Sequence, residues 1–345
     1  MALLDLEIKR IELPPLRNSI KHYLKRAQEI EAYLNKRPKE WGKFQAEFNM
    51  EVNRVFYNIM NFEKENFAVG QEEKVYKFKR IFIKRIREVF LKGVYNEWAF
   101  RKPFGYAGDF KIIDDIYQNN PTTTGFVRLF DNYCMMSAIA VAVRNRKEDF
   151  KRIIINFINT KPGRNLRIMN LASGPCRELK ELLSEYSSLS KNVIFDCYDQ
   201  DEKAIKYAKK LLVGYSNINF IRENAIRIAF RKNIFQLIDK KYDLIYTTGL
   251  FDYFGERVGI ALVTNLRKLL NPSGMLAIST MRDKYSNPSV HYMEWVADWS
   301  LVYRNEEEFK SIFIESGFGD DELEIGYEQQ GIMQYIFATK KEGKR

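Results

Sequence analysis

The segment Leu166-Arg-Ile-Met-Asn-Leu-Ala-Ser-Gly-Pro-Cys-Arg-Glu178 decides the fold class of this chain. Its apolar half predicts a β-strand, Ser-Gly-Pro predicts a tight turn, and Glu178 stands in the first turn of a following helix. A second apolar run, Val193-Ile-Phe-Asp-Cys-Tyr-Asp199, predicts a strand that ends in an acid 25 positions after Gly174. This succession is typical of the first half of a nucleotide-binding α/β unit, in which the acid accepts hydrogen bonds from ribose hydroxyls. An ordinary βα turn followed by a surface acid gives the same pattern.

The single glycine of the turn bears on which cofactor the unit binds. A dinucleotide places its pyrophosphate over a helix N-terminus and needs several glycines to approach it. S-adenosylmethionine has no phosphate and carries a sulfonium cation, so one glycine is enough and nearby acids are tolerated. The sequence therefore favours S-adenosylmethionine over NAD, with Ala172, Ser173, Gly174 and Pro175 beside the cofactor and Asp199 on its ribose.

Bulk composition indicates a globular protein with a sizeable core. The chain has 345 residues, of which 46% are hydrophobic and 29% are charged. No apolar run reaches the ~18 residues of a membrane span, and acids stand near the N-terminus where a signal peptide carries basic residues. We therefore expect a cytoplasmic protein with no transmembrane segment. The scattered cysteines and the two histidines argue against a metal site.

The formal net charge is +11, and the excess of basic residues is spread along the chain. The densest cluster, Lys74 to Arg87, alternates with apolar residues at helical spacing. A patch for nucleic acid or anionic membrane is one interpretation of this cluster. The solvated face of an amphipathic helix is the other, and the dispersion of the charge favours it. We therefore expect no nucleic-acid partner.

The N-terminal third of the chain is predicted to be helical. Residues 1–120 are expected to form a helical domain and residues 121–345 a second domain that holds the nucleotide unit. Apolar residues recur at three- and four-residue spacing in four stretches. These run from Leu16 to Leu34, Lys39 to Phe67, Glu72 to Ala99 and about Gly125 to Asn159. The glycine-rich segment Arg101 to Asp109 interrupts the pattern and is typical of a loop that lines a site.

From Arg167 onward the pattern alternates between strands and helices, which predicts a parallel sheet covered on both faces. The predicted strands are Arg167–Leu171, Val193–Tyr198, Ile218–Glu223, Leu244–Thr247 and Met275–Thr280. Two final strands, Leu323–Tyr327 and Met333–Thr339, flank Glu-Gln-Gln-Gly and predict an antiparallel hairpin. The expected fold class is α/β: a Rossmann-like sheet of the class I methyltransferase type with a terminal hairpin, preceded by a helical domain.

Ligands of open α/β sheets lie beyond the carboxyl ends of the strands. Gln200 follows Asp199 at the end of the second strand, where Asp201 is expected to cap a helix. Asn224 and Ala225 follow the third strand, and the Asn224 amide can contact adenine or form a simple turn. Thr248 follows the fourth strand. The sequence therefore predicts Gln200, Asn224, Ala225 and Thr248 as further cofactor-binding residues.

Four segments together resemble one family, the class I methyltransferases known as 3-hydroxypalmitic acid methyl ester synthases. They are the following: Gly-Tyr-Ala-Gly-Asp (105–109), Ala-Ser-Gly-Pro-Cys-Arg-Glu (172–178), Gly-Leu-Phe-Asp-Tyr-Phe (249–254) and the run from His291 to Arg304. The resemblance covers the chain from about Arg101 to its C-terminus. It implies a methyltransferase that forms a fatty-acid methyl ester. Ser279-Thr-Met-Arg282 departs from the Gly-Asn pair expected after the fifth strand.

Methyl transfer is an in-line displacement, to which an enzyme contributes alignment and desolvation of the nucleophile. A carboxylate acceptor needs no base but needs a cation or donors to hold it. The candidates for this role are Arg282 and His291, with Tyr106 and Tyr253 as hydroxyl donors. An amine acceptor needs an acid nearby instead. The candidates for that acid are Asp109, Asp252, Glu294 and Asp298.

The loop of residues 105–109 is expected to close over the cofactor, because its two glycines permit close approach of the backbone. In this interpretation Tyr106 orients the acceptor, and Asp109 bonds either the cofactor's amino group or a neighbouring backbone. An interdomain turn with packing glycines is the alternative. The function expected from the sequence is methyl transfer from S-adenosylmethionine to a small or lipid-like acceptor. RNA methylation, small-molecule N-methylation and an inactive binding module remain alternatives.

Overall fold

The computed structural model describes residues 13–187 and 189–341, with residues 190 and 191 described by their backbone alone. Contacts divide the chain into two compact units. The first comprises the described residues up to Val141 together with Asn287–Ser300. The second comprises Ala142–Ser286 and the described residues from Leu301 onward.

The boundary between the units falls within the helix Ala138–Asn159, which is α7 in chain order. The α-helices are α1 (Pro14–Lys36), α2 (Gln45–Ala68), α3 (Glu72–Ile81), α4 (Val94–Arg101), α5 (Phe110–Gln118), α6 (Gly125–Met136), α7 (Ala138–Asn159), α8 (Arg177–Glu185), α9 (Leu189–Asn192), α10 (Glu202–Leu211), α11 (Ala225–Phe230), α12 (Glu256–Leu269), α13 (Val290–Trp295) and α14 (Glu306–Glu315). Among the described residues, only the broken pair α6 and α7 has the combined length and apolarity of a membrane span, and no helix has it alone.

The first unit is helical and has a core rich in aromatic side chains. Phe48, Phe56, Phe82 and Phe90 are almost fully buried there. Trp295 of α13 joins this core, with its ring centroid 5.4 Å from that of Phe82. Since each aromatic side chain buries on the order of 150–250 Å², these contacts hold the helices of the first unit together.

The structure breaks the helix predicted from Glu72 to Ala99. After α3 the chain forms a π-helical turn, Phe82–Ile86, then a 3₁₀ turn and a loop, and α4 begins only at Val94. Gly93 has a φ of +93°, and a Cβ atom there would lie 2.6 Å from Asp131 Oδ1. Gly93 is the N-cap residue of α4 and its backbone is not helical, so one continuous helix cannot run through this position.

The second unit is a seven-stranded sheet with the strand order β3-β2-β1-β4-β5-β7-β6. The strands are β1 (Leu166–Leu171), β2 (Val193–Asp199), β3 (Ile218–Arg222), β4 (Tyr242–Thr248), β5 (Leu270–Met281), β6 (Leu323–Tyr327) and β7 (Met333–Thr339). The first five strands are parallel, and β7 pairs antiparallel with both β5 and β6. This arrangement confirms the predicted α/β fold class and its terminal hairpin.

Strand β5 starts earlier than the predicted Met275, because Leu270 already pairs with Tyr242 of β4. Tyr242 pairs with Leu270 and Leu244 with Met275, so the register shifts between these two pairs. Gly274 sits in this irregularity, where a Cβ atom would approach the Asn271 carbonyl oxygen to 2.9 Å. The Asn-Pro-Ser-Gly segment is therefore a bulge inside β5, between the paired residues Leu270 and Met275.

Candidate functional site

The turn after β1 has an unusual backbone. Ala172, Gly174 and Cys176 adopt left-handed φ angles of +55°, +53° and +54°. A left-handed conformation costs a residue with a side chain roughly 1–2 kcal/mol, so the surrounding structure must hold this turn in place. The Ser173 N–H donates to the Tyr198 carbonyl oxygen of β2 over 3.0 Å. The turn is thereby fixed to the neighbouring strand at the carboxyl edge of the sheet.

Asp199 links the end of β2 to the same turn. One carboxylate oxygen accepts from the Gly174 N–H over 2.8 Å, and the other accepts from the Asp201 N–H over 2.8 Å. The side chain is largely buried, and this burial raises the pKa of Asp199 above its usual value. The hydrogen bonds from the backbone N–H groups act in the opposite direction. Asp201 caps α10 by accepting from the Lys203 N–H, as predicted. The glycine turn and the strand-end acid therefore form one hydrogen-bonded unit.

Gln200 and Asn224 meet beside this unit. The Asn224 amide nitrogen donates to the Gln200 side-chain oxygen over 2.8 Å. The Asn224 oxygen caps α11 by accepting from the Ile226 N–H over 2.7 Å, and Ala225 is the first residue of that helix. The ends of β2 and β3 thus present a connected polar edge next to Asp199.

The segment after β4 is held by several buried contacts. Asp252 accepts from the Met281 N–H over 2.7 Å and from the Thr280 hydroxyl over 3.2 Å. Burial raises the pKa of the Asp252 carboxyl above its usual value, although the nearby Arg146 guanidinium acts to lower it. Arg304 donates to the carbonyl oxygens of residues 251 and 254. These contacts fix the segment that carries Thr248, the last residue of β4, and the exposed Tyr253.

Arg282 follows β5 and lies against the terminal hairpin. Its Nη1 donates to the Gly331 carbonyl oxygen over 3.0 Å, and its guanidinium lies 5.0 Å from the centroid of the Tyr327 ring. The hairpin turn itself is ordered by Glu328, which accepts from the Gln330 and Ile332 N–H groups. The guanidinium of Arg282 therefore has a structural role in the hairpin, and its binding of an acceptor stays a prediction.

The other predicted site residues belong to the first unit. His291 is buried in α13 with its Nε2 3.2 Å from Glu63 Oε1, and Glu294 is buried in the same helix. Asp109 caps α5 by accepting from the N–H groups of residues 111 and 112, and it also accepts from Trp98 Nε1 over 2.9 Å. Tyr106 is half-buried. The structure gives each of these residues a place within its own unit, and their catalytic and cofactor-binding roles stay predictions.

Glu178 has a role that sequence reasoning missed. Its side chain is buried and accepts from Asn170 Nδ2 over 2.9 Å and from the Tyr246 hydroxyl over 3.1 Å. Burial raises the pKa of Glu178 to about 7. Asn170 and Tyr246 are paired residues of β1 and β4. The sequence gives no signal for this cluster, because it depends on the register between two strands that are distant in the chain.

Comparisons with known proteins extend this description. Neither protein-family models nor curated proteins match the chain. Among solved structures, a possible exported protein from Bordetella parapertussis is similar at 17% identity and a TM-score of 0.54, covering 76% of this chain and 83% of that one. The DszA carbon methyltransferase is similar at 14% identity and a TM-score of 0.50, covering 73% and 62% of the two chains.

A third similar structure is the CurJ carbon methyltransferase, at 14% identity and a TM-score of 0.47, with coverage of 60% of this chain and 56% of that one. The chain thus spans less than two-thirds of both carbon methyltransferase chains. Together with the strand order and the terminal hairpin, the likeness to DszA shows that the second unit has the class I methyltransferase fold. Among the described residues, no three His, Cys, Asp or Glu side chains are arranged to hold a metal ion.

Proposed function

We propose that this protein is an S-adenosylmethionine-dependent methyltransferase that acts on a small or lipid-like acceptor. The observation that carries the proposal is the pairing of Gly174 with Asp199 at the carboxyl edge of the sheet, over 2.8 Å. A Cβ atom at Gly174 would meet no other protein atom within 4 Å. The turn therefore offers open space beside a carboxylate, which suits a ligand with a ribose.

The residues at this edge fit the cofactor in chemistry as well as in position. Asp199 would accept from the ribose hydroxyls, and Gln200 and Asn224 would contact the adenine. When bound, S-adenosylmethionine supplies a methyl group on a sulfonium, which is already activated for displacement. The chain's own residues then have to orient the acceptor in line with that methyl group and exclude water from it. We further propose a cytoplasmic location, as the sequence predicts.

The acceptor is proposed to be a carboxylate, in line with the resemblance to 3-hydroxypalmitic acid methyl ester synthases. A carboxylate acceptor is already nucleophilic. An ammonium acceptor must first lose a proton, which the side chain of an Asp or Glu residue would take up. Three acids considered for that step are already engaged: Asp109 caps α5, Asp252 bonds Met281, and Asp298 pairs with Lys102 over 2.6 Å. Arg282 and His291 are engaged as well, through Gly331 and Glu63, so the choice of a carboxylate rests on the resemblance.

Calorimetry tests the cofactor directly. We expect micromolar binding of S-adenosylmethionine and S-adenosylhomocysteine, because the site offers a ribose acceptor and one open glycine. We expect no binding of NAD, because this turn has one glycine and a pyrophosphate needs several glycines to approach the backbone. Mass spectrometry of ligands that co-purify with the protein checks the same point without added cofactor. Tight NAD binding without any response to S-adenosylmethionine would overturn the proposed function.

A methyl-labelled cofactor tests the acceptor. The arms are fatty acids of increasing chain length, primary amines and mixed RNA. A carboxyl methyl ester releases labelled methanol in base, whereas an N-methyl product does not, so the chemistry of the product identifies the attacked atom. Base-stable label on amines alone, or label on RNA alone, would replace the carboxylate proposal with the corresponding alternative.

Gly174→Ala should abolish cofactor binding while leaving the fold intact. The new methyl group meets no protein atom, so the substitution costs only the left-handed strain of roughly 1–2 kcal/mol, but the methyl group occupies space that the ligand needs. Gly163→Ala is the matched control, because Gly163 also has a left-handed φ, +72°, and open surroundings, and lies in the turn before β1. Urea unfolding should show similar losses for both variants. Equal S-adenosylhomocysteine affinity in the two variants would show that the turn is not part of the cofactor site.

A further inference from the structure

Arg146 lies on α7 at the end of the second unit where the parallel strands finish. The direction of α7 follows from two contacts. Phe150 packs against Tyr246 within β4, with ring centroids 5.9 Å apart. One helical turn earlier, Arg146 Nη1 reaches Gly249, just past the end of β4. The helix therefore runs antiparallel to β4 and brings Arg146 to the carboxyl edge of the sheet, where ligands of this fold bind.

The space for this guanidinium depends on a glycine. Gly249 has a φ of +119°, and a Cβ atom there would lie 2.8 Å from Arg146 Nη1. Any other residue at this position would be strained and would push the guanidinium away. At Gly249, immediately after Thr248, the guanidinium therefore faces backbone and no side chain of that residue. Close backbone approach of this kind is typical of glycines at ligand sites.

The charge of Arg146 is held in a buried setting. The side chain is 5% exposed, and its Nη1 lies 3.7 Å from Asp252 Oδ2. This distance is that of an ion pair and exceeds that of a hydrogen bond. The other oxygen of Asp252 accepts from the Met281 N–H over 2.7 Å. A guanidinium has five N–H donors on more than one edge, so it can bind a second carboxylate while it stays beside Asp252.

We propose that Arg146 binds the α-carboxylate of S-adenosylmethionine, an inference that rests on the proposed function. Strands β2, β1 and β4 are neighbours, so the ends of β2 and β4 are about 10 Å apart. Asp199 stands at the first of these ends and Arg146 at the second. Ribose and carboxylate of the cofactor are separated by about six single bonds of roughly 1.5 Å each, which matches this span. A planar, bidentate cation is the side chain best suited to a carboxylate.

Two ligands separate this role from a structural one. S-adenosylhomocysteine carries the α-carboxylate, whereas 5′-methylthioadenosine has the same nucleoside and sulfur but no amino-acid part. By calorimetry on the full chain, Arg146→Gln should weaken S-adenosylhomocysteine about tenfold to hundredfold, the range of a lost charge-assisted hydrogen bond. The same variant should bind 5′-methylthioadenosine as the wild type does, which also reports that the site is folded.

Arg152→Gln is the matched control, because Arg152 lies on the same helix, pairs with Asp149 and is exposed. This variant should bind both ligands with the affinity of the wild type. Arg146→Lys provides a second variant that keeps the charge and loses the planar fork, and it should show an intermediate loss for S-adenosylhomocysteine only. Unchanged S-adenosylhomocysteine binding in Arg146→Gln, or equal losses for both ligands in both Arg146 variants, would overturn the inference. Failure of the wild type to bind either ligand would instead overturn the proposed function.

Discussion

Glu178→Gln should stabilise the second unit by about 3 kcal/mol at pH 8 and by less than about 1 kcal/mol at pH 5. Burial raises the pKa of Glu178 from the ordinary 4.5 to about 7. The native state therefore keeps a proton that the unfolded chain has already released. Stability from this group is fully present below about pH 4.5, is lost as the pH rises to about 7, and stays lost above it. Glutamine is a neutral isostere, so it removes this dependence on pH.

The measurement must report on the second unit. All four tryptophans, Trp41, Trp98, Trp295 and Trp299, lie in the first unit, so their fluorescence is unsuitable. Hydrogen exchange of the β1 and β4 amides, measured from pH 5 to pH 8 and corrected for intrinsic rates, gives the opening free energy directly. Glu324→Gln on the exposed side of β6 keeps Glu178 and is the control, so its opening free energy should follow that of the wild type at every pH. A parallel pH dependence in wild type and Glu178→Gln would contradict the raised pKa.

Asp199→Ala should weaken binding of S-adenosylmethionine by about 2–3 kcal/mol, the scale of removing a carboxylate's hydrogen bonds to buried partners. The carboxylate is proposed to hold the ribose, and it also orders the turn through the Gly174 N–H. Both effects act in the same direction on affinity. Calorimetry with S-adenosylhomocysteine, on protein checked for folding by circular dichroism, measures the loss.

The neighbouring acid supplies the control for this prediction. Asp201→Ala removes the cap of α10 and should cost about 1 kcal/mol of stability. The Kd of this variant for the ligand should change less than about threefold, whereas 1.4 kcal/mol corresponds to tenfold. Since the two acids are two positions apart and both follow β2, a general disturbance of this segment would affect both variants alike. Equal affinities in Asp199→Ala and Asp201→Ala would remove Asp199 from the cofactor site.

Much of the second unit could be predicted from the sequence because its signals are local. Alternating apolar runs define β1 and β2, the Ser-Gly-Pro turn needs a left-handed Gly174, and Glu-Gln-Gln-Gly sets the hairpin between β6 and β7. Each signal involves only a few neighbouring residues. The prediction that Asp199 stands beside the glycine turn also follows, since adjacent parallel strands end at the same edge of the sheet.

Local patterns were insufficient where packing decides the conformation. The periodicity from Glu72 to Ala99 is helical, yet the α-helix ends at Ile81 and a new one begins only after Gly93, where Asp131 leaves no room for a side chain. Likewise, helical spacing cannot tell that Ser137 separates α6 from α7 by donating to the Cys134 carbonyl oxygen over 2.6 Å. Residues distant in the chain lie at both breaks: Asp131 faces Gly93, and the Ser289 hydroxyl accepts from the Ala138 N–H over 3.1 Å.

The sequence by itself thus determined the fold class, the strand-end acid and the glycine turn of this protein. Only the tertiary structure decided the electrostatics: Glu178 gains its raised pKa from burial beside Asn170 and Tyr246, and Arg146 reaches the end of β4 under Gly249. The physical reason is that a strand or turn is specified by near neighbours in the chain. A pKa or an anion-binding position is instead specified by whatever the fold brings within a few ångströms, and those partners come from distant segments.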